Sequence, residues 1–307
     1  MLVKHLEIKN QSYRNIKLNG ISVMAFLNGL ANAGSTSVDF SKSTLQCWLV
    51  RNGKTHVIYS GNLKVIGLAS SLDTLNQLSF ATTQSNAAQL TGGQQALVSF
   101  EIPFGGPVDL HGDDEIYIEV QNNAGLFTDG DLEASSYLEI TPIKCYGVER
   151  FIPQIKTWVI QANEQQNQYM IGDNLIRLAF LNYDKTNYTQ NVINNLIFTS
   201  DRLDETYTFA KLIARKITRM GKQLIPVNPD ISIGIQEDQS FMVTDFNEEY
   251  DGVQLDAQFN GANVAAGQNY FVAWTYYTDW TILNAAAAKD EKHAEKTADK
   301  ISAAKKA

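Results

Sequence analysis

Gly53-Lys54-Thr55 ends like a phosphate-binding loop. Such a loop wraps phosphate oxygens in successive backbone N–H groups, so it needs glycine upstream and a strand-to-helix setting. The position where the upstream glycine belongs is Trp48, and the segment around it reads as strand, turn, strand. Asn52-Gly53 is better explained as a two-residue hairpin turn, because both residues tolerate positive φ. Asp129-Gly130-Asp131-Leu132-Glu133 places three carboxylates close together. Ca²⁺ takes roughly six to eight oxygens, so Asp129, Asp131 and Glu133 could supply part of a site, although the spacing is not that of an EF-hand. A solvated loop is the simpler reading, and metal binding there stays open.

His111-Gly112-Asp113-Asp114 has the form of the hairpin in which paired aspartates hold two metals in RNA-dependent polymerases. A polymerase needs a longer chain, a basic template channel and more carboxylates, so a turn feeding the strand Glu115–Gln121 is expected instead. The four histidines, His5, His56, His111 and His293, form no close pair and no HExxH, which argues against zinc. There is no GxSxG and no GxGxxG. Cys47 and Cys145 have no CxxC spacing and read as free thiols rather than a disulfide framework. No catalytic residue and no cofactor is expected.

Two larger features admit more than one reading. The stretch Tyr270–Trp280 is rich in aromatics. Trp274, Tyr276 or Trp280 could form a sugar-binding platform in an adhesion module. A long strand apolar on both faces explains the same residues, with a barrel inside and a neighbouring subunit outside. Around Arg202–Met220, Leu203, Phe209, Leu212, Ile213, Ile217 and Met220 recur at helical spacing, with Ser200 or Asp201 as cap and Gly221 as stop. Its other face carries Lys211, Arg215, Lys216 and Arg219, suited to solvent, an acidic subunit, lipid headgroups or nucleic acid.

Composition limits the frame that holds these residues. The chain has 307 residues, 44% hydrophobic and only 19% charged. Asn (25) and Gln (20) together supply 45 amides, which suits turns and contact surfaces more than a charge-laced helical bundle. Residues 1–150 hold 10 basic and 14 acidic side chains and the remainder 15 and 19, so each part carries −4 of the total −8. Neither part is a general nucleic-acid binder. No apolar run is long enough for a membrane-spanning helix, and Met1–Glu7 has no signal-peptide core.

Short alternating segments punctuated by Gly, Asn and Asp predict strands throughout. They are Val3–Lys9, Gly20–Leu27, Leu45–Arg51, Lys54–Ser60, Leu63–Ala69, Ala96–Phe104, Glu115–Gln121 and Tyr137–Ile143. A second series is Lys156–Gln161, Leu175–Asn182, Ile193–Thr199, Ile231–Gln236, Phe241–Phe246, Val253–Phe259 and Tyr270–Leu283. The pattern of Glu115–Asn122, a Gly/Asp loop and Tyr137–Ile143 returns in Gly252–Asn260, a Gly/Ala/Asn loop and Tyr270–Tyr276. This suggests two copies of one all-β domain, residues 1–147 and 148–284, with a linker near Lys144–Ile155. Ala285–Ala307, with six Lys against four acids, is an exposed helix or a disordered tail.

Two similar all-β halves, amide-rich loops, a lone helix in the second half and a polar tail resemble the double jelly-roll major capsid proteins of tailless, internal-membrane icosahedral viruses. The smaller bacteriophage members are nearest in length, and the chain resembles in particular the major capsid protein of the membrane-containing flavobacterial phage type, related in fold to the corticoviruses. The resemblance covers Leu2 to about Asn284. It implies two eight-stranded jelly-roll barrels, and a homotrimer whose six barrels form a pseudo-hexagonal tile of a shell around a membrane. It implies as partners neighbouring capsomers, minor capsid or vertex proteins and membrane lipids near the tail, with no specific nucleic acid. It implies a virion location after assembly in the host cytoplasm. The alternatives are the carbohydrate-binding module and, less favoured, an all-β glycosidase with two carboxylates at fixed separation.

Overall fold

Period-two alternation builds most of the chain. In β4 (Ser43–Arg51) Leu45, Cys47 and Leu49 are buried while Thr44, Gln46 and Trp48 are partly exposed. In β17 (Val253–Phe259) the buried set is Val253, Leu255, Ala257 and Phe259. The computed structural model describes residues 7–28, 36–37, 43–74, 79–82, 89–90, 95–122, 135–147, 149, 151–182, 189–201, 204–208, 211, 241–246 and 252–277.

The first series of elements is β1 (Ile8–Tyr13), β2 (Lys17–Asn28), β3 (Thr36–Ser37), β4, β5 (Lys54–Asn62), α1 (Leu63–Thr74), β6 (Ser79–Thr82), β7 (Gln89–Leu90), β8 (Gln95–Asp109), β9 (Glu115–Asn122) and β10 (Tyr137–Lys144). The second is β11 (Ile152–Val159), β12 (Gln166–Gly172), β13 (Leu175–Asn182), α2 (Thr189–Val192), β14 (Ile193–Thr199), β15 (Asp204–Thr208), β16 (Phe241–Asp245), β17 and β18 (Asn269–Tyr277).

The second series forms two antiparallel four-stranded sheets, β11-β18-β13-β16 and β12-β17-β14-β15. Counted within the series, these orders are first-eighth-third-sixth and second-seventh-fourth-fifth, the double Greek key of a jelly roll. The first series forms β1-β9-β4-β5 and β10-β2-β8-β6. Here β1, β9, β4 and β5 take the second, seventh, fourth and fifth places, and β10, β2 and β8 take the eighth, third and sixth. β6 adds outside β8, and no described strand takes the first place beside β10. The fold is thus two tandem jelly-roll barrels, all-β apart from short helices. The sequence likeness between residues 115–143 and 252–276 marks the seventh and eighth strands of each barrel.

The open side of β10 is blunted. The Ile140 carbonyl accepts from the Tyr13 hydroxyl at 2.6 Å and from Gln11 Nε2 at 3.0 Å. Two residues on, with the same orientation in the ladder, Pro142 has no N–H to offer. Proline and side-chain plugs are ways of closing a sheet edge to stray strands.

Three local expectations change. Leu63–Ala69 is part of helix α1, not a strand. Asn62 Oδ1 accepts from the backbone N–H groups of Lys64 (2.9 Å) and Val65 (3.2 Å), capping the first turn. Leu63, Val65, Ile66, Ala69 and Ser70 are all buried, so the helical period is hidden in a short apolar run. The helix expected from Arg202 is overturned at Asp204–Thr208, where β15 pairs with β14 from Thr199↔Asp204 to Asn195↔Thr208. Lys211 is helical, and the rest of the stretch to Met220 lies outside the described residues. The sequence pattern predicts no strand at β12, where only Tyr169 and Ile171 face inward among amides. The expected strand Ile231–Gln236 and the tail Ala285–Ala307 also lie outside the described residues.

Candidate functional site: the seam between the barrels and the faces left outside

β13 and β18 are apolar on both faces. Leu178, Phe180, Phe271 and Ala273 enter the core of the second barrel. Ala179, Leu181, Val272 and Trp274 join the first barrel's core instead, with Ile152 and Ile155 of β11. β11 lies on β5 and β8, and α1 lies on β13 and β18. Trp274 Nε1 donates to the Pro103 carbonyl at 3.2 Å, and the Arg177 guanidinium sits 5.9 Å from the Trp274 ring centre. Gly105, with φ +92°, leaves room for the contact: a Cβ there would meet Ile176 Cδ1 at 3.2 Å. The neighbour covering the aromatic strand is therefore this chain's own first barrel, not another subunit.

The sugar-platform expectation fails at Trp274, which is 3% exposed. Tyr276 stacks on Phe151 with ring centres 3.8 Å apart, and Trp280 lies outside the described residues.

The linker is tied down by charge. Arg51, at an inward place of β4, donates through Nε to Asp114 Oδ2 at 2.9 Å, through Nη1 to Glu149 Oε1 at 2.5 Å and through Nη2 to the Asp109 carbonyl at 2.7 Å. Glu149, between β10 and β11, also accepts from the Asp109 N–H at 3.0 Å. Asp109 in turn holds Lys17 at 2.8 Å and His111 at 2.9 Å. Residues 110–114 form the expected turn, with Gly112 at φ +61°. Asp113 is exposed while Asp114 is buried against Arg51, so the two aspartates do not converge on a shared ion. Arg51 and Glu149 belong to no sequence motif. The available signal was the inward parity of Leu45, Cys47, Leu49 and Arg51, since an inward charge must be paired.

The remaining candidates are dispersed. Asn52 and Gly53 have φ of 51° and 72°, and Lys54 continues into β5, so the phosphate-loop lookalike is the expected hairpin turn. Cys47 is buried, which pushes its thiol pKa up, and Cys145 is partly buried; both are free. His56 lies on β5 and His111 in the turn after β8; His5 and His293 lie outside the described residues. So do Asp129, Asp131 and Glu133. Among the described residues no three His, Cys, Asp or Glu side chains are grouped to hold a metal, and no helix is long and apolar enough to cross a membrane.

Three sheet faces look outward. On β12-β17-β14-β15 the cross-strand rows are Gln166–Gln258–Asn195 and Gln168–Asp256–Ile197. Gln166 Nε2 donates to both oxygens of Asp256, at 3.0 and 3.1 Å, and Asn195 donates to Gln258 at 3.1 Å. This face uses many of the amides counted in the sequence. On β1-β9-β4-β5, Trp48 stacks on Tyr117 at 5.8 Å, beside the ion pair of Arg14 with Glu115. Arg14, together with hydrogen bonds from Ser12 and Tyr117, lowers the Glu115 pKa to about 2. On β10-β2-β8-β6, Phe26 stacks on Tyr137 at 4.5 Å.

No family model and no curated protein matches the sequence. Among solved structures the chain is similar to one in the atomic structure of Sulfolobus Turreted Icosahedral Virus. Identity there is 12%, the TM-score is 0.51, and the match covers 94% of this chain and 98% of that one. It is also similar to the STIV MCP crystal structure, at 14% identity, TM-score 0.48 and coverage of 89% and 92%. The mavirus major capsid protein matches at 10% identity, TM-score 0.35 and coverage of 87% and 82%. The first likeness runs over nearly the whole of both chains and agrees with the strand order: the fold is a double jelly roll.

Proposed function

We propose that this chain is a structural major capsid protein of a virion, with no catalytic role. The observation that carries the reading is the fusion of two jelly rolls through one continuous core. With it goes a fold shared almost end to end with a chain of an icosahedral virus particle. Residues 1–147 form one barrel, 148–284 the second and 285–307 a tail. Three chains form a pseudo-hexagonal homotrimer, and such trimers tile an icosahedral shell around an internal membrane, assembling in the host cytoplasm. Neighbouring capsomers and minor or vertex proteins are its partners. The Lys-rich tail meets anionic headgroups, each Lys adding at most about 1 kcal/mol.

The physical logic favours this use. Sheets closed into barrels with blunted edges resist stray strand pairing at the high concentrations of assembly. Two barrels locked by a shared core arrive at the assembly site with their relative orientation already set, and a rotational contact between copies closes into a ring. Light scattering behind a sizing column, followed by imaging, tests the reading. A particle of three times 34.1 kDa, or larger shells with hexagonal tiles, is expected. A monomer at every concentration overturns it.

A further inference from the structure

We infer that Asn52 is a site of spontaneous covalent change: its side-chain amide is displaced by the Gly53 backbone nitrogen, and the product loosens the hold of Arg51 on the linker. The inference concerns the single chain and stands apart from the capsid reading.

An Asn followed by Gly can close a ring on itself. The Gly backbone nitrogen gives up its proton to hydroxide or water and attacks the Asn Cγ. A C–N bond forms there, the bond from Cγ to the amide nitrogen breaks, and ammonia leaves. Water then opens the cyclic imide at either carbonyl, giving Asp or, with the backbone routed through the side chain, isoaspartate. Nothing is oxidised or reduced, and water is the only co-reactant. Glycine favours the closure because it brings no side chain to crowd the attacking nitrogen. The sequence has four such pairs, Asn19-Gly20, Asn28-Gly29, Asn52-Gly53 and Asn260-Gly261.

The fold separates them. Gly20 pairs with Ile143 on one side and Pro103 on the other, inside the sheet β10-β2-β8-β6, and a Cβ there would meet the Ile102 carbonyl oxygen at 2.5 Å. The Asn28 N–H donates to Ser136 Oγ at 2.8 Å and its side-chain amide to Ser135 Oγ at 3.0 Å. The Asn260 N–H donates to the Val192 carbonyl at 2.9 Å, its carbonyl accepts from the Asn263 N–H at 2.9 Å, and Gly261 is buried. Asn52 and Gly53 are both exposed at the tip of the β4–β5 hairpin, and nothing lies within 4 Å of where a Gly53 Cβ would sit.

The closed turn, with φ of 51° and 72°, holds the Gly53 nitrogen away from the Asn52 side chain, so the ring closes from an opened turn. Opening this tip disturbs only the last ladder pair, Arg51↔Lys54, whereas Asn19 is freed only when its sheet parts. Opening costs run from near zero at loop tips to the whole stability of the molecule in core strands. Asn52 also directly follows Arg51, whose guanidinium holds Asp114 and Glu149. Isoaspartate lengthens the backbone of a two-residue turn, and either product adds a carboxylate that competes for the same guanidinium.

The full chain is aged in mildly alkaline buffer beside the same chain held in denaturant, and peptides spanning the four pairs are followed by mass spectrometry. In denaturant all four should convert at similar rates. In the folded chain Asn52 should stay within about tenfold of its denatured rate, while Asn19, Asn28 and Asn260 lag by about a hundredfold or more. Asn52→Gln, whose longer side chain does not close the same ring, should stay folded and show no change at that peptide. Conversion of any other pair as fast as Asn52 in the folded chain overturns the assignment, and so does an Asn52 as protected as the others. Denaturant titration then reads the linker: the aged chain should unfold at a lower denaturant concentration than aged Asn52→Gln. Equal midpoints once Asn52 has converted overturn the link to Arg51.

Discussion

Arg51 shows how one side chain can fix a linker. Its guanidinium fork binds Asp114 on one side and Glu149 on the other, in a site where it is 6% exposed. Removing it leaves two carboxylates in a poorly hydrated pocket. Arg51→Ala is therefore expected to lower unfolding free energy by about 3 kcal/mol in denaturant titration. Arg51→Lys should recover only part of this, because an ammonium cannot bond both carboxylates and the Asp109 carbonyl through a planar fork. Equal stability of Arg51→Ala and the unaltered chain would show that the linker is held by packing alone. Glu115 behaves differently: its carboxylate is buried, but its partner Arg14 is largely exposed. Folding lowers its pKa from 4.5 to about 2. A group whose proton affinity falls on folding stabilises the fold above its unfolded pKa, and that contribution fades as pH drops through the window between the two values. The stability gap between the unaltered chain and Arg14→Ala should accordingly shrink as pH is lowered from about 4.5 towards 2. A gap that does not change with pH would refute the assignment.

At the level of the strand, the exposed side of β10 is the feature that most needs protection. Pro142 removes a donor there, and Gln11 and Tyr13 occupy the Ile140 acceptor. Supplying a β-branched residue with its N–H while freeing the acceptor, as in Pro142→Val with Tyr13→Phe and Gln11→Ala, should leave strand content intact but increase time-dependent light scattering. An unchanged scattering trace would mean that neighbouring residues already shield the edge. The strands themselves were largely readable from period-two alternation. Ile193–Thr199 and Val253–Phe259 fall where that pattern puts them, Leu175–Asn182 follows from a nearly continuous apolar run, and the Asn52-Gly53 turn follows from its chemistry. The failures have physical causes. α1 is buried on most sides between two barrels, so its residues lack a polar stripe. β12 faces outward through amides and offers only two inward apolar residues. Asp204–Thr208 carries no apolar signal of its own and becomes a strand because β14 is available to pair with it. Phe271–Trp274 is apolar on both faces and covered on both, and apolar residues on two faces do not distinguish a cover from the same chain from one supplied by another.

That distinction governs the whole molecule. The first barrel's core extends through Ile152, Ile155, Val272 and Trp274 into the second, so neither barrel can open that side without exposing apolar surface of the other. Two domains coupled this way should unfold together, whereas independently stable domains joined by a flexible linker unfold in separate steps. Scanning calorimetry of the unaltered chain is expected to show one transition with matching calorimetric and van't Hoff enthalpies. Trp274 is the contact to remove, because its ring fills the seam and its N–H bonds Pro103 across it. Trp274→Ala should cost about 3–5 kcal/mol and, beyond that loss, should split the transition in two as the barrels become uncoupled. A single transition merely shifted to lower temperature would place the coupling elsewhere in the seam, in α1 or the Arg51 cluster. Two transitions in the unaltered chain would show that the barrels fold independently and that their orientation is set only on assembly.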